Sequence, residues 1–219
     1  MAAICLVLAS FVPWLAGCKS IGAAEVVVGP SYHPENVHRT SEQLPREIRR
    51  VAVLPMTSDD GQPGLDEGRE ILQPILVDEL GKLKRFELVQ VTPDQLRHFT
   101  GRRMWAAEEK LPYNFFGLIN EELGCDAVLF CRLTRFSAYP PLAVGWNMKL
   151  IVCRQPQIQW AADEIFDAGE STVVNAARRY QAASEQLPRA LADSRSILQS
   201  PGRFGRYAAS RLLATLPAR

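Results

Sequence analysis

Cysteines are the residues of this chain best suited to covalent or redox chemistry, because a thiolate is a nucleophile, a metal ligand and a disulfide partner. Two cysteines stand near the N-terminus and three in the body of the chain: Cys5, Cys18, Cys125, Cys131 and Cys153. None has the spacing of a zinc site. We therefore predict no metal centre, and the role of each cysteine depends on the element that holds it.

Cys18 ends an apolar run over residues 2–17. A membrane-spanning helix needs about 20 predominantly apolar residues, so this run is short for a span. A secretory signal has an apolar core of about 7–15 residues followed by small residues at the cleavage site, and Ala16 and Gly17 supply them. We predict a signal peptide over residues 1–17. The alternative, an ordinary helix of a soluble protein, lacks an amphipathic pattern.

The sequence Leu-Ala-Gly-Cys that ends at Cys18 resembles the bacterial lipoprotein box, in which the cysteine sulfur is acylated and the chain is cut before it. The resemblance implies that Cys18 is the first mature residue and carries fatty acyl chains such as palmitate. Two or three acyl chains hold a protein stably in a bilayer, since each methylene group that is buried there contributes about 0.8 kcal/mol of binding free energy. Lys19 follows the cysteine, which resembles an outer-membrane sorting signal. The implied location is the cell envelope, lipid-anchored at the outer membrane and facing the periplasm.

Few histidines and carboxylates of this sequence are spaced in a way that suits acid–base catalysis. His33, Glu35 and His38 could hold a metal only in a rigid site, and a solvated segment is the simpler interpretation. Asp163 and Asp167 share a face of a predicted strand but lie about 13 Å apart along it, at about 3.3 Å per residue. The sequence contains no nucleophile elbow and no phosphate-binding loop. We predict no cofactor and no enzymatic activity; an enzyme acting on an envelope substrate is the least favoured alternative.

Periodic apolar runs predict the elements that hold these residues. The predicted strands are 51–54, 86–91, 125–136, 146–153 and 158–169. The predicted helices are 71–83, one beginning at Thr92-Pro93, 114–123, 171–184, 188–199 and 203–216. Helices separate the early strands, which need crossover connections, whereas the last three strands can form an antiparallel meander. The predicted fold class is α/β, or α+β: a mixed sheet packed by helices, with a helical C-terminal extension.

The chain divides into four predicted parts. Residues 1–17 form the signal peptide and 18–47 a lipidated tether, followed by an α/β domain over 48–169 and a helical extension over 170–219 that packs on it. The tether is rich in Gly, Pro, Ser and His without a clear period, with one short candidate strand at 25–28. A tether of this kind would let the domain stand off from a bilayer.

The predicted hairpin around residue 142 suggests a disulfide. If its turn centres on Leu142, Cys131 lies opposite Cys153 in the neighbouring strand. An oxidising compartment favours such bridges, provided that the two residues meet the required geometry. We treat a Cys131–Cys153 bridge as a hypothesis.

The turn sequence YPPLAVGW carries four apolar or aromatic residues: Tyr139, Leu142, Val144 and Trp146. If these side chains are exposed, they form a candidate partner patch, because aromatic anchors dominate binding energy. Alternatively, they cover the end of the sheet and have no partner. The sequence leaves both interpretations open.

Charge argues against a nucleic-acid partner, since the formal net charge is only +1. It is unevenly distributed, however. Residues 171–219 carry eight arginines against Glu185 and Asp193. A solvated helix surface explains this excess most simply, and contact with anionic headgroups or an acidic partner is the alternative.

Four segments together resemble a broad family of bacterial envelope proteins: RRVAVLPM, KRFELVQV, ELGCDAVLFCRLTRF and IQWAADEIFDAG. This family includes the curli secretion channel lipoprotein, the penicillin-binding-protein activator lipoproteins and the N-terminal domain of the periplasmic Tol β-propeller protein. The likeness covers residues 48–169 and concerns fold rather than catalysis. Residues 93–113 lack the alternating apolar pattern of transmembrane hairpins, so we predict no pore.

These features predict a lipid-anchored envelope protein that acts as a non-catalytic scaffold or protein-interaction module. Its expected partners are the membrane, through the lipid on Cys18, and an envelope protein or a second copy of the chain. The resemblance leaves one further alternative, a subunit of a homo-oligomeric envelope export assembly.

Overall fold

The computed structural model describes residues 29–59, 64–184 and 196–219. Its strands are β1 (Val37–Arg39), β2 (Arg50–Val53), β3 (Thr57–Ser58), β4 (Glu87–Gln90), β5 (Ala127–Ser137), β6 (Ala143–Val152) and β7 (Ile158–Asp167). Its helices are α1 (Leu65–Leu83), α2 (Pro93–Thr100), α3 (Phe115–Leu123), α4 (Ser171–Ser184) and α5 (Pro201–Leu213), with a short 3-10 turn at Ser196–Leu198. The predicted signal peptide, Cys18, the candidate strand 25–28 and most of the predicted helix 188–199 lie outside the described residues.

The described strands form one mixed sheet in the order β1-β7-β6-β5-β2-β4, with the short β3 alongside β5. β2 lies between β4 and β5 and runs parallel to both, as expected for a short apolar strand that is buried on both faces. β5, β6 and β7 form the antiparallel meander. The predicted class, a mixed sheet packed by helices, is confirmed.

Helices α1, α4 and α5 cover one face of this sheet and enclose the larger apolar core. α5 packs beside α1 and contacts β6 and β7. Its Phe204, Tyr207 and Leu212 are fully buried, and Gly205 lets it approach Leu72 of α1 closely. The described C-terminal helices therefore share one core with the sheet.

Helices α2 and α3 cover only part of the opposite face, over β2, β4 and β5. The smaller core on this side centres on Phe115, which stacks on Phe130 with 5.9 Å between ring centroids. Trp105 packs edge-on against Phe115. No described helix packs on the same face of β7 and β1, so the outer strands present one side to solvent.

Two helix boundaries follow the local signals in the sequence. The Thr92 hydroxyl accepts a hydrogen bond from the Gln95 N–H at 3.2 Å, and the Gln95 side chain accepts one from the Thr92 N–H at 2.9 Å. This reciprocal capping box fixes the start of α2. Gly124 ends α3 with a φ of 62°, in the left-handed region that a glycine adopts without steric cost.

Residues 29–47 do not form a free tether, contrary to the prediction. β1 pairs antiparallel with β7, and Leu44 is buried in the larger core. The Leu44 N–H also donates a hydrogen bond to the Ala218 carbonyl at 2.7 Å. The sequence did not reveal this packing, because three residues of β1 with a single apolar Val37 are too few to show a period.

Candidate functional site

The cysteines of the folded body are free thiols. Met148, not Cys153, lies opposite Cys131 in the β5–β6 ladder. Cys131 belongs to the larger core, whereas Cys153 belongs to the smaller core on the other face of the sheet. The predicted Cys131–Cys153 disulfide is therefore wrong, because the hairpin turn centres on Pro140 rather than on Leu142.

Burial also makes these thiols unreactive. It raises the pKa of the Cys125 thiol to about 11 and that of the Cys153 thiol to about 12, and it raises the pKa of the Cys131 thiol as well. A thiol with a raised pKa carries little thiolate near neutral pH and is a weak nucleophile. Within the folded body, the cysteines act as small core residues.

The predicted partner patch in the hairpin turn is mostly buried. Leu142, Val144 and Trp146 are each at most 1% exposed, and only Tyr139 lies on the surface. β6 begins at Ala143, earlier than predicted, so Val144 and Trp146 alternate onto the core face of the strand. The prediction of an exposed partner patch is therefore wrong for these three residues. They cover the sheet instead, as the alternative interpretation expects.

The two candidate acids of β7 have separate partners. Asp163 accepts a hydrogen bond from the Asn147 side chain at 2.9 Å, and Asp167 pairs with Arg135 at 3.2 Å. Asp163 thus binds the adjacent strand β6, whereas Asp167 reaches across β6 to β5, and the two carboxylates do not converge on one point. Ile165 stands between them and is 47% exposed.

These side chains belong to the uncovered side of the outer strands, which we call the open sheet face. It comprises His38, Asn147, Ala161, Asp163 and Ile165. The depression on this face measures only about 120 Å³, too small for a drug-sized ligand. One exposed apolar side chain among small and polar neighbours suits contact with a second macromolecule better than capture of a small molecule.

The histidine-containing segment does not assemble a metal site. The Nδ1 atom of His33 lies 3.0 Å from the Ser31 carbonyl oxygen, and His38 is exposed on β1. Among residues 29–59, 64–184 and 196–219, no group of three or more His, Cys, Asp or Glu side chains is arranged to hold a metal ion. None of the described helices is long and apolar enough to cross a bilayer.

Glu164 has a structural role that the sequence analysis did not predict. It is buried in β7 and holds residues 29–39, which we call the N-terminal strap. Its carboxylate accepts hydrogen bonds from the Tyr32 hydroxyl and from the N–H groups of Glu35, at 2.5 Å, and Asn36, at 2.6 Å. Burial and the bond to Glu164 raise the pKa of the Tyr32 phenol, which therefore remains a hydrogen-bond donor at neutral pH.

A signal for this contact was present in the sequence. Trp160, Ala162 and Phe166 occupy alternate positions of β7 on the core face, and Glu164 interrupts that apolar series. An acid at a core position needs hydrogen-bond partners, since an unpaired buried charge is costly. The strap supplies those partners.

The strap continues along α4. The Tyr32 N–H donates to the Thr172 carbonyl at 3.1 Å. The Asn175 side chain donates to the Pro30 carbonyl at 3.3 Å, and the Arg179 guanidinium donates to the Gly29 carbonyl at 2.5 Å. The first described residue of the chain is therefore held beside the middle of α4.

A cavity of about 390 Å³ lies between α1, α4 and α5. Its charged groups are already paired, because Glu79 accepts from Lys82 at 2.6 Å and from Arg206 at 3.0 Å. Asp78 binds the same two cations. The described lining contains no nucleophile held by a general base, so the cavity offers no catalytic arrangement.

Neither a protein-family model nor a curated protein matches the sequence. Several solved structures are similar in fold. The PelC dodecamer from Paraburkholderia phytofirmans is 15% identical, with 84% of this chain and 97% of that chain covered, at a TM-score of 0.48. Lipoprotein GNA1162 from Neisseria meningitidis is 14% identical, with 54% and 79% covered, at a TM-score of 0.41. The LpoB C-terminal domain from Escherichia coli is 17% identical, with 54% and 82% covered, at a TM-score of 0.35. Each of these likenesses is below 25% identity and concerns the fold alone.

Proposed function

We propose that this chain is a lipid-anchored bacterial envelope protein, held by acyl chains on Cys18, that acts as a non-catalytic protein-interaction module. The observation that carries the proposal is the Leu-Ala-Gly-Cys sequence at the end of an apolar run. The strap adds a defined geometry, because it fixes on the domain the described residue that is nearest in sequence to Cys18. Glu164 and α4 provide the fastening.

The open sheet face supports the interaction role. It offers the exposed Ile165 between hydrogen-bonding side chains, and it has no described helix over it. Interfaces of moderate strength combine a few apolar contacts with a polar rim. The outer membrane facing the periplasm is the proposed location, since Lys19 follows the cysteine.

Metabolic labelling with palmitate tests the anchor. We expect label on the wild-type protein and none on Cys18→Ser, which should also keep residues 1–17. Cys5→Ser is the matched control, because Cys5 lies in the same apolar run but outside the acylation sequence; it should be labelled like the wild type. Equal labelling of the wild type and Cys18→Ser would contradict the anchor.

Photocrosslinking in intact cells tests the interaction role. A photoreactive amino acid at Ile165 should give a discrete crosslinked species, whereas the same group at Ala182, exposed on α4 across the sheet, should give little. A product with an envelope protein identifies the partner. A product of twice the chain mass supports the self-associating alternative instead. The absence of any specific product at Ile165 would contradict an interaction through this face.

A further inference from the structure

Helices α4 and α5 form a basic surface on one side of the molecule. Together they carry five arginines and no acidic residue: Arg178, Arg179, Arg203, Arg206 and Arg211. Residues 93–123, which include α2 and α3 on the other face of the sheet, carry four basic residues and five acidic ones. Asp78 and Glu79 of α1 pair with Arg206, and even with these two acids counted the α4–α5 side keeps a net positive charge, whereas the α2–α3 side is close to neutral.

The first described residue, Gly29, lies on the basic side of the domain. The strap passes Thr172 and Asn175 and brings Gly29 to Arg179. Two independent features, the position of Gly29 and the excess of positive charge, therefore coincide on α4.

The distance between the proposed anchor, Cys18, and Gly29 limits how the domain can turn. Eleven positions separate Gly29 from Cys18, so the two residues are at most about 40 Å apart even if the chain is fully extended. A domain of this size is itself about 40 Å across. Turning α4 away from the bilayer would require nearly full extension of that chain, with a loss of conformational entropy.

We infer that the α4–α5 surface rests against an anionic lipid bilayer and that the open sheet face points away from it. This inference rests on the proposed lipid anchor. Basic side chains near a bilayer gain from the negative potential of anionic headgroups within a Debye length. The orientation presents Ile165, on the opposite face of the sheet, to a partner in the periplasm.

Depth-dependent fluorescence quenching tests the orientation on the full-length acylated protein, reconstituted in phosphatidylcholine vesicles with 30% phosphatidylglycerol. Single cysteines at Ala182, exposed on α4, and at Lys110, exposed on the other face, accept a fluorophore, whereas the native thiols of the domain are buried. Lipids with a headgroup nitroxide should quench the Ala182 probe at least twofold more than the Lys110 probe. Equal quenching, or stronger quenching at Lys110, would overturn the inference.

Charge variants test the role of the arginines. In the Ala182→Cys background, Arg203→Gln with Arg211→Gln should reduce quenching, and the matched pair Arg97→Gln with Lys110→Gln on the other face should not. Unchanged quenching in the first pair, with an unchanged thermal unfolding curve, would overturn the electrostatic contact. Vesicle flotation separates the two proposals: protein that does not float contradicts the anchor, whereas protein that floats with equal quenching at both probes contradicts only the orientation.

Discussion

The Tyr32 hydroxyl donates a hydrogen bond to the Glu164 carboxylate, although 132 positions separate the two residues in the chain. The same carboxylate binds two successive backbone N–H groups of the strap. One buried acid therefore fixes the course of the segment that leads toward the proposed anchor, and it does so from the strand at the edge of the meander.

Replacing Glu164 with Gln should loosen the strap. The amide keeps the size of the side chain but removes the charge and turns one acceptor atom into a donor that faces other donors. Hydrogen bonds to charged groups contribute about 1.5–3 kcal/mol, so we expect a loss of about that size in the free energy of unfolding. Amide hydrogen exchange at residues 35 and 36 should accelerate.

Two controls separate this effect from a general change in charge. Tyr32→Phe removes one of the three bonds and should cost less than Glu164→Gln. Asp163→Asn, the next position on the exposed side of β7, should change stability by no more than about 0.5 kcal/mol. A Glu164→Gln protein as stable as the wild type would show that the strap is held by other contacts.

Gly205 should not tolerate a side chain. A Cβ atom added there would lie 2.2 Å from the Cδ2 atom of Leu72, a buried residue of α1. Overpacking of this kind costs about 1–3 kcal/mol, so Gly205→Ala should lower the free energy of unfolding by that amount in a denaturant titration. Gly202→Ala, in the same helix, brings the new methyl 3.6 Å from Ile75, an ordinary contact, and should be neutral or slightly stabilising. Equal losses in the free energy of unfolding for the two variants would show that Gly205 is not the position at which α5 approaches α1 closely.

Elements with strong local signals could be predicted from the sequence. Elements that depend on contacts between residues far apart in the chain could not. Thr92 and Gly124 mark helix boundaries through their own chemistry, so the ends of α2 and α3 could be predicted. The hairpin register depends on the number of turn residues at Pro140–Pro141, which no apolar period encodes. That error placed Cys131 opposite Cys153. The strap was missed because its partners, Glu164 and α4, are far away in the chain.

Stability should fall at acid pH through Glu108 and Glu109. Burial acts to raise the pKa of Glu108, but the hydrogen bond and charge of Lys149, 2.6 Å away, outweigh it and lower the pKa. The Ala106 N–H and Arg102 lower the pKa of Glu109. A carboxyl whose pKa is lowered by folding stabilises the protein above its unfolded pKa, and this contribution is lost as the pH falls through the folded value. The loss should therefore begin near the ordinary glutamate value of 4.5.

Lys149→Gln isolates the contribution of Glu108. The variant should be less stable than the wild type at pH 7, and the two should converge only as the pH falls from 4.5 through the lowered pKa of Glu108 in the folded wild type, because Glu108 is then protonated in both. Lys110→Gln changes the net charge equally without removing the Glu108 pair, so its pH profile should parallel that of the wild type. Thermal unfolding across this pH range measures all three. A constant difference between Lys149→Gln and wild type at every pH would contradict the assignment.

The thiols of the folded body should react only after unfolding. Burial raises the pKa of Cys125 to about 11 and of Cys153 to about 12, so at pH 8 both remain almost entirely protonated and shielded from reagents. Iodoacetamide should leave the native protein nearly unmodified at these positions. In denaturant without a reductant, peptide mass spectrometry should find Cys125, Cys131 and Cys153 all alkylated, because none is bridged. Cys131 and Cys153 alkylated only after reduction would mean that the β5–β6 register differs from the one in which Met148 faces Cys131.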